Sequence, residues 1–282
     1  MSASWHDIIE SQSFVSGKMR LIPWRICRET AEMAGISPRE VELWACRNGI
    51  CPSRYERSIG TLGLEGQARL LSSRVAVAGC GGLGGWIIEI LARTGVGKIV
   101  VADGDVFSDN NLNRQMLCDE NIIGKSKAMA AKARAQAVNG AVEITAWNEF
   151  LTPDNADRIL SGCQLAVDAL DGNNARSILL SACRKLEIPM VHGAIGGFWG
   201  QCCVLLPEDT PPWELASGAD KGIEQLTGNP PFTPMFIASI EAAEAIRLIA
   251  GIGESLRKLL WCDLKNHEYY KVELGTKGVI RN

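Results

Sequence analysis

No two of the ten cysteines in this 282-residue chain are spaced as Cys-x-x-Cys. Such pairs are the usual scaffold of a four-thiolate zinc site, so no structural zinc is expected. No apolar run approaches the length needed to span a bilayer. The start, Met1 to Asp7, lacks the basic-then-apolar pattern of a signal peptide. Basic excess is missing too: 29 Lys and Arg stand against 32 Asp and Glu, a net charge of −3, with both signs spread throughout. Nucleic acid is therefore not expected as the main partner. Repeats and low-complexity tracts are absent. Ten cysteines without a secretory signal read as reduced thiols. The expectation is a soluble cytoplasmic protein with one large α/β unit plus an appendage.

What the chain does contain is a glycine turn, Gly79-Cys80-Gly81-Gly82-Leu83-Gly84, between an apolar run and a helical one. Arg74 to Ala78 reads as a short buried parallel strand. Trp86 to Ala92 reads as a helix that ends at Gly95 and Gly97. Glycines between strand and helix allow positive φ and close backbone approach, so the helix N-terminus can face an anion. A second strand, Lys98 to Ala102, ends at Asp103, the place for a carboxylate that accepts hydrogen bonds from a ribose. Gly79, Gly81, Gly82, Gly84 and Asp103 alone specify a nucleotide, and many dehydrogenases share them.

The residues that follow narrow the choice. Asp105, Asn111 and Arg114 lie in Asp103-Gly104-Asp105-Val106-Phe107-Ser108-Asp109-Asn110-Asn111-Leu112-Asn113-Arg114-Gln115. Gly124-Lys125-Ser126-Lys127 then opens a helix from Ala128 to Val138. Leu165-Ala166-Val167 runs into Asp168-Ala169-Leu170-Asp171, with Arg176 on the next helix. A nicotinamide cofactor has little use for Arg114, Lys127 and a strand-end carboxylate together. A nucleoside triphosphate that loses pyrophosphate does: cations neutralise the leaving group, and a carboxylate holds Mg²⁺.

These stretches resemble the ThiF/MoeB/HesA adenylyltransferases, relatives of the ubiquitin-activating enzymes, and ThiF most of all. Arg54-Tyr55-Glu56-Arg57, Gly66-Gln67, Gly193-Ala194 and Gly200-Gln201 fit as well, so the likeness covers about residues 54 to 274. It implies an ATP- and Mg²⁺-using enzyme that adenylates the C-terminal Gly-Gly of a ubiquitin-like sulfur carrier, of ThiS or MoaD type. It implies that Asp103 holds the ribose, that Arg114 and Lys127 contact the triphosphate, and that Asn111 adds a phosphate contact. Asp171 would bind the metal. Arg57 would reach the γ-phosphate of the neighbouring subunit across a homodimer interface. The carrier, and so the pathway (thiamin, molybdopterin or an amino acid), stays open.

Each site residue has a structural alternative. Asp103 could cap its loop, and Asp105 and Asp168 could anchor theirs. Arg114 could organise a loop crowded with Asn and Asp. Arg57 could be a plain surface charge, and Arg176 reads as support for the Asp171 loop. Lys127 could be solvated, but a cation at a helix N-terminus is unfavourable and points to an anion there. Three other classes stay open: an enzyme acting on RNA like threonylcarbamoyladenosine dehydratase, a non-catalytic nucleotide-binding scaffold and, more distantly, an NAD enzyme.

Relatives that form a thioester carry a cysteine in a crossover loop, here about residues 207–233, which contains none. The reaction is therefore expected to stop at the acyl-adenylate, leaving a sulfur donor protein to attack it; the alternative is that a cysteine from another segment moves in. The fold expected is a Rossmann-like, doubly wound, mainly parallel sheet over 54–282, with a C-terminal antiparallel extension. Strands are expected at Ala141–Trp147 and Ile188–His192, helices at Pro153–Leu160, Asn174–Leu186 and Pro234–Ile249, and a hairpin at Leu259–Asp263 and Tyr269–Leu274. Cys202-Cys203 reads as core strand, and His192 as a buried strand-end residue. Residues 1–53 form a small helical arm, with helices at Arg25–Ala34 and from the Ser37-Pro38-Arg39-Glu40 capping box to near Gly49. Six basic residues there balance six acidic ones, which argues against DNA and for packing on the dimer or carrier.

Overall fold

The computed structural model describes residues 4–215 and 224–274. It opens with α1 (Trp5–Gln12), β1 (Phe14–Ser16), β2 (Met19–Ile22), α2 (Trp24–Ala34), α3 (Pro38–Arg47) and β3 (Ile50–Pro52). A 3-10 turn leads to α4 (Ile59–Ser72), β4 (Arg74–Ala78), α5 (Gly82–Thr94) and β5 (Lys98–Ala102). Then come α6 (Lys127–Val138), β6 (Glu143–Trp147), α7 (Ala156–Leu160), β7 (Leu165–Asp168) and α8 (Asn173–Lys185). The last are β8 (Met190–Gly196), β9 (Trp199–Leu205), the short turns α9 (Pro212–Leu215) and α10 (Glu224–Thr227), α11 (Phe232–Ala250), β10 (Leu259–Asp263) and β11 (Glu268–Val272).

The main sheet has the strand order β11-β10-β9-β8-β7-β4-β5-β6. β6, β5, β4, β7 and β8 run parallel, while β9, β10 and β11 add on antiparallel. The parallel strands are apolar on both sides because helices cover both faces. On β4, Val75 and Val77 enter one core with Ile87, Leu91 and Ile237, while Ala76 and Ala78 enter the other with Leu179 and Leu180. Small alanines thus face α8 and the larger valines face α5 and α11. The doubly wound, mainly parallel sheet with an antiparallel extension is the architecture expected.

Element ends differ from expectation by a few residues, for local reasons. The helix expected from Pro153 starts at Ala156, because Asn155 first closes a turn on the Thr152 N–H at 2.8 Å. The strand expected at Ile188–His192 starts at Met190 and runs on to Gly196, pairing with β9 along its whole length. The N-terminal arm is not purely helical. β1, β2 and β3 form a second, three-stranded sheet beside α2 and α3. Strands of three or four residues are too short to show a period. The Ser37 capping box forms, with the Glu40 N–H donating to Ser37 Oγ at 3.3 Å and the Ser37 N–H to Glu40 Oε2 at 2.8 Å.

The arm has its own apolar centre, including Ile9, Ile22, Ala31, Val41 and Ile50. It meets the main sheet through a buried polar junction. Glu42 of α3, fully buried, sits 3.1 Å from Arg54 Nε and accepts from the Tyr55 hydroxyl at 2.9 Å. The Asn139 amide donates to the Tyr55 hydroxyl and to the Ala92 carbonyl, both at 3.0 Å, and Arg54 donates to Asn139 Oδ1. Arg54 and Tyr55 therefore join the arm to the ends of α5 and α6.

Candidate active site

Parallel strands bring their C-terminal ends to one side of a sheet, and ligands of open α/β folds bind there. In this chain that side carries a cleft of about 940 Å³. Its wall includes Gly79, Gly81, Gly82, Asp103, Asp105, Asn111, Arg114, Lys127 and Asp171. Of the expected site residues, Gly84 lies behind this wall in the first turn of α5, and Arg57 is exposed elsewhere on the chain.

The glycine turn is shaped by two kinds of constraint. Gly79 has φ +94°, and a Cβ there would strike the Ala169 carbonyl; a Cβ at Gly84 would strike the Gly79 carbonyl. Both positions need glycine for packing alone. At Gly81 and Gly82 a Cβ would make only ordinary contacts of 3.6 Å, to Gln115 and Pro234. Both glycines face the cleft, and Gly81 is the N-cap of α5 with no side-chain cap. The first N–H groups of α5 are thus left for an anion.

Asp103 is bound from two sides. Its Oδ2 accepts from the Cys80 N–H at 2.7 Å and its Oδ1 from the Asp105 N–H at 2.8 Å. Burial pushes its carboxyl above the usual range, against the pull of those two N–H groups. Lys127, 7% exposed, reaches Asp105 Oδ2 with its Nζ at 3.0 Å. The anion that its helix-terminal position calls for is therefore supplied, at least in part, by Asp105. Arg114 donates to the Asn110 carbonyl at 2.6 Å and to Asn113 Oδ1 at 2.9 Å, so it organises its loop while also lining the cleft. Asn111 is buried, and its Oδ1 accepts from the Ser108 N–H at 3.1 Å.

Asp171 is exposed at the cleft wall, with no ion-pair partner among the described residues. Arg176 braces its loop, donating to the Leu170 carbonyl and to Asn173 Oδ1, both at 3.1 Å, with Nε 3.4 Å from Asp168 Oδ2. Asp168 is fully buried, and its Oδ2 lies 2.7 Å from His192 Nδ1. Burial pulls the His192 pKa down, against Asp168, so the ring is neutral near pH 7. In the tautomer that donates to Asp168, Nε2 is left to accept from Gln201 Nε2, 3.3 Å away. Trp213 packs edge-on against His192, with ring centroids 5.0 Å apart, and donates to Ser177 Oγ at 3.1 Å. This fixes the start of the expected crossover loop; its residues 216–223 lie outside the described residues.

Several wall residues carry no motif that sequence alone would flag. Phe150 is 62% exposed and packs over Gly104, where any Cβ would come within 2.7 Å of its ring. The available signal is positional: a residue just past β6 must lie near the end of β5, its parallel neighbour. Gln115 and Asn229 also line the cleft, and Gln115 Oε1 and Asn229 Oδ1 are buried without hydrogen-bond partners. Each has unused capacity for a polar ligand.

The open helix N-terminus and the Lys127–Arg114 pair fit a polyphosphate, while the orphaned amide oxygens of Gln115 and Asn229 suit a donor such as a hydroxyl or amino group. For a metal the fit is narrower: no cluster of three His, Cys, Asp or Glu exists among the described residues. Asp171 could hold a Mg²⁺ only if the remaining ligands came from phosphate or water. None of the ten thiols is primed for chemistry. Burial pushes all of them up, Cys183 to about 12 and Cys51 to about 11.

The chain is similar to several known proteins. The ThiF family model matches residues 55–278. The chain is 37% identical to the SAMP-activating enzyme E1 of Haloferax volcanii, over 79% of this chain and 85% of that one. It is 35% identical to the sulfur carrier protein adenylyltransferase of Thermus thermophilus, over 72% of this chain and 79% of that one. The crystal structure of E. coli MccB with ATP aligns with a TM-score of 0.68 at 21% identity, covering 80% of this chain and 72% of that one. E. coli tRNA N6-threonylcarbamoyladenosine dehydratase, TcdA, aligns at 0.59 and 22% identity, covering 71% and 95%. At these identities the two structures speak to the fold alone.

Proposed function

Because the chain belongs to the ThiF family, we propose that it uses MgATP to adenylate the C-terminal glycine carboxylate of a ubiquitin-like sulfur-carrier protein, of ThiS or MoaD type. The observation that carries this reading is the meeting of the open glycine turn with Arg114, Lys127 and Asp171 in one cleft. The relatives named above act, by their names, on SAMP or on a sulfur carrier protein.

In this reading Asp103 accepts from the ribose, and Phe150 offers its exposed ring beside it. The N-terminus of α5, Asn111, Arg114 and Lys127 take the phosphates. The tail carboxylate attacks the α-phosphate, the bond to the β-phosphate oxygen breaks, and pyrophosphate leaves. Mg²⁺ held by Asp171 would neutralise charge on the phosphates when bound. The enzyme contributes positioning and charge, since ATP brings the leaving group and the carrier the nucleophile. Arg57 lies away from its own cleft, so it serves only if a second subunit presents it, which makes a homodimer part of the proposal. With every thiol held protonated by burial, the product is the carrier acyl-adenylate, and a sulfur donor outside this chain attacks it.

Carrier-dependent ATP–pyrophosphate exchange tests the proposal. Exchange with one purified Gly-Gly-ended carrier, abolished in Asp171→Ala, is the expected result. ATP binding without exchange on either carrier type would overturn it and turn attention to an RNA substrate.

A further inference from the structure

The Asp171 carboxylate is exposed in the cleft and, among the described residues, has no hydrogen bond or ion pair of its own. Where it stands is therefore set by its backbone, and that backbone is held just before it. The Ala169 N–H donates to the Ala78 carbonyl of β4 at 2.9 Å. The Leu170 N–H donates to Asp168 Oδ1 at 3.0 Å, and the Leu170 carbonyl accepts from Arg176 at 3.1 Å. After Asp171 comes Gly172, with φ +86°, where the chain turns into α8. Both backbone polar groups of Leu170 are thus committed, and one of them depends on Asp168.

Asp168 is in turn held by His192. The two are directly paired across β7 and β8, so their side chains share a sheet face, and both are buried. Leu170 occupies Oδ1, which leaves Oδ2 for a second donor. Arg176 Nε lies 3.4 Å from Oδ2 without a hydrogen bond, its other nitrogens donating to Leu170 and Asn173. His192 Nδ1, at 2.7 Å, makes the short, charge-assisted bond. Gln201 Nε2 lies 3.3 Å from His192 Nε2, which favours the tautomer with its proton on Nδ1. Two N–H groups on opposite oxygens fix the plane of the Asp168 carboxylate.

Resting on the reading that Asp171 takes the Mg²⁺ of MgATP, we infer that His192 is a positioning residue for the adenylation: its Nδ1–H orients Asp168, and Asp168 holds the Leu170 backbone that presents Asp171. The rival role is packing. The same ring meets Trp213 edge-on, with centroids 5.0 Å apart, at the start of the expected crossover loop. The two roles need different atoms, since positioning uses the donor at Nδ1 and packing uses the whole ring.

Two substitutions in the full chain separate them. His192→Asn keeps an amide N–H near the place of Nδ1 and loses the ring, while His192→Phe keeps a ring and loses the donor. The Kd of a non-hydrolysable ATP analogue is measured by calorimetry with Mg²⁺ and again with a chelator, so that the tightening due to the metal is read directly. Carrier-dependent ATP–pyrophosphate exchange is followed against Mg²⁺ concentration, and thermal unfolding is recorded for each variant. In His192→Phe the Kd with Mg²⁺ should rise about tenfold or more, the usual scale for removing a group that holds a metal ligand in place. The Mg²⁺ needed for half-maximal exchange should rise in step. The Kd without metal should match wild type, because His192 does not line the cleft. His192→Asn should keep the tightening. Asp168→Asn breaks the same bond from its other end, so it should lose the tightening, and adding His192→Phe to it should change nothing more.

The reverse order, with His192→Phe intact and His192→Asn impaired, would overturn the inference in favour of packing. Equal losses in the two, or a metal-free Kd that rises with the metal-bound one, would overturn it as well. Tightening lost in Asp171→Ala but kept in His192→Phe and Asp168→Asn would overturn the inference and leave the Asp171 assignment standing. Tightening kept in Asp171→Ala would overturn that assignment and the inference with it. The expected pattern of Kd values without exchange on any carrier would keep the inference and remove the carrier as substrate.

Discussion

Gly81 and Gly84 are three residues apart in one turn, and glycine is needed at each for a different reason. A side chain at Gly84 collides with the backbone carbonyl of Gly79, while at Gly81 nothing in the chain stands in the way. Gly84→Ala should therefore destabilise the fold, by about 1–3 kcal/mol, as overpacking does. Gly81→Ala should leave thermal unfolding unchanged and weaken ATP binding measured by calorimetry. An unchanged ATP affinity in Gly81→Ala would show that no phosphate approaches that backbone. The motif is legible in sequence, but the division of labour within it is not. That division depends on Gln115, which the chain brings back after β5, and on Ala169, which it brings back only after β7.

α11 carries the clearest case of an element shaped by its neighbour. Its Glu241 is fully buried, neither carboxyl oxygen has a hydrogen-bond partner, and a Cβ at Gly193 of β8 would collide with it. Gly193-Ala194 belongs to the family resemblance, and its physical role is now plain: Gly193 leaves the space this carboxyl occupies. Burial, with Asp168 nearby, pushes Glu241 well above the usual carboxyl range. The group is then protonated when folded and ionised when unfolded over the pH range between the two values. Stability from this group is complete below the ordinary glutamate range and falls as pH rises toward the folded value, by about 1.4 kcal/mol per pH unit. Glu241→Gln should remove that slope, so its melting temperature relative to wild type should rise from pH 5 to pH 8. A constant difference across that range would mean that the carboxyl is already ionised in the fold.

At the scale of the whole molecule, the proposed role of Arg57 across a homodimer interface can be tested. Its neighbours Arg54 and Tyr55 are locked into the junction with Glu42 and Asn139, so the turn bearing Arg57 is rigidly attached to both parts of the chain. Arg57 itself is exposed and outside its own cleft. If it acts across a dimer, Arg57→Ala and Asp171→Ala subunits, each inactive alone, should recover exchange activity when refolded together. Each mixed dimer then has one site with both residues intact. Recovery absent from confirmed mixed dimers would return Arg57 to its surface-charge reading.

Sequence alone determined the order of the main-sheet strands and the helices between them from β4 to β8, the glycine turn and the carboxylates at strand ends, because these are local: φ, period and strand-end position are set within a few residues. It also grouped Asp103, Arg114, Lys127 and Asp171, which line one cleft in the fold, since parallel strands bring their ends and the loops after them together. Only the tertiary structure decided who partners whom. Lys127 answers Asp105, His192 meets Asp168, Phe150 covers Gly104, and Trp261 extends the cleft past β8. The arm's small sheet and the Glu42 junction belong to the same category. Such contacts join residues tens of positions apart through strand order and helix packing, and no window of sequence carries that distance.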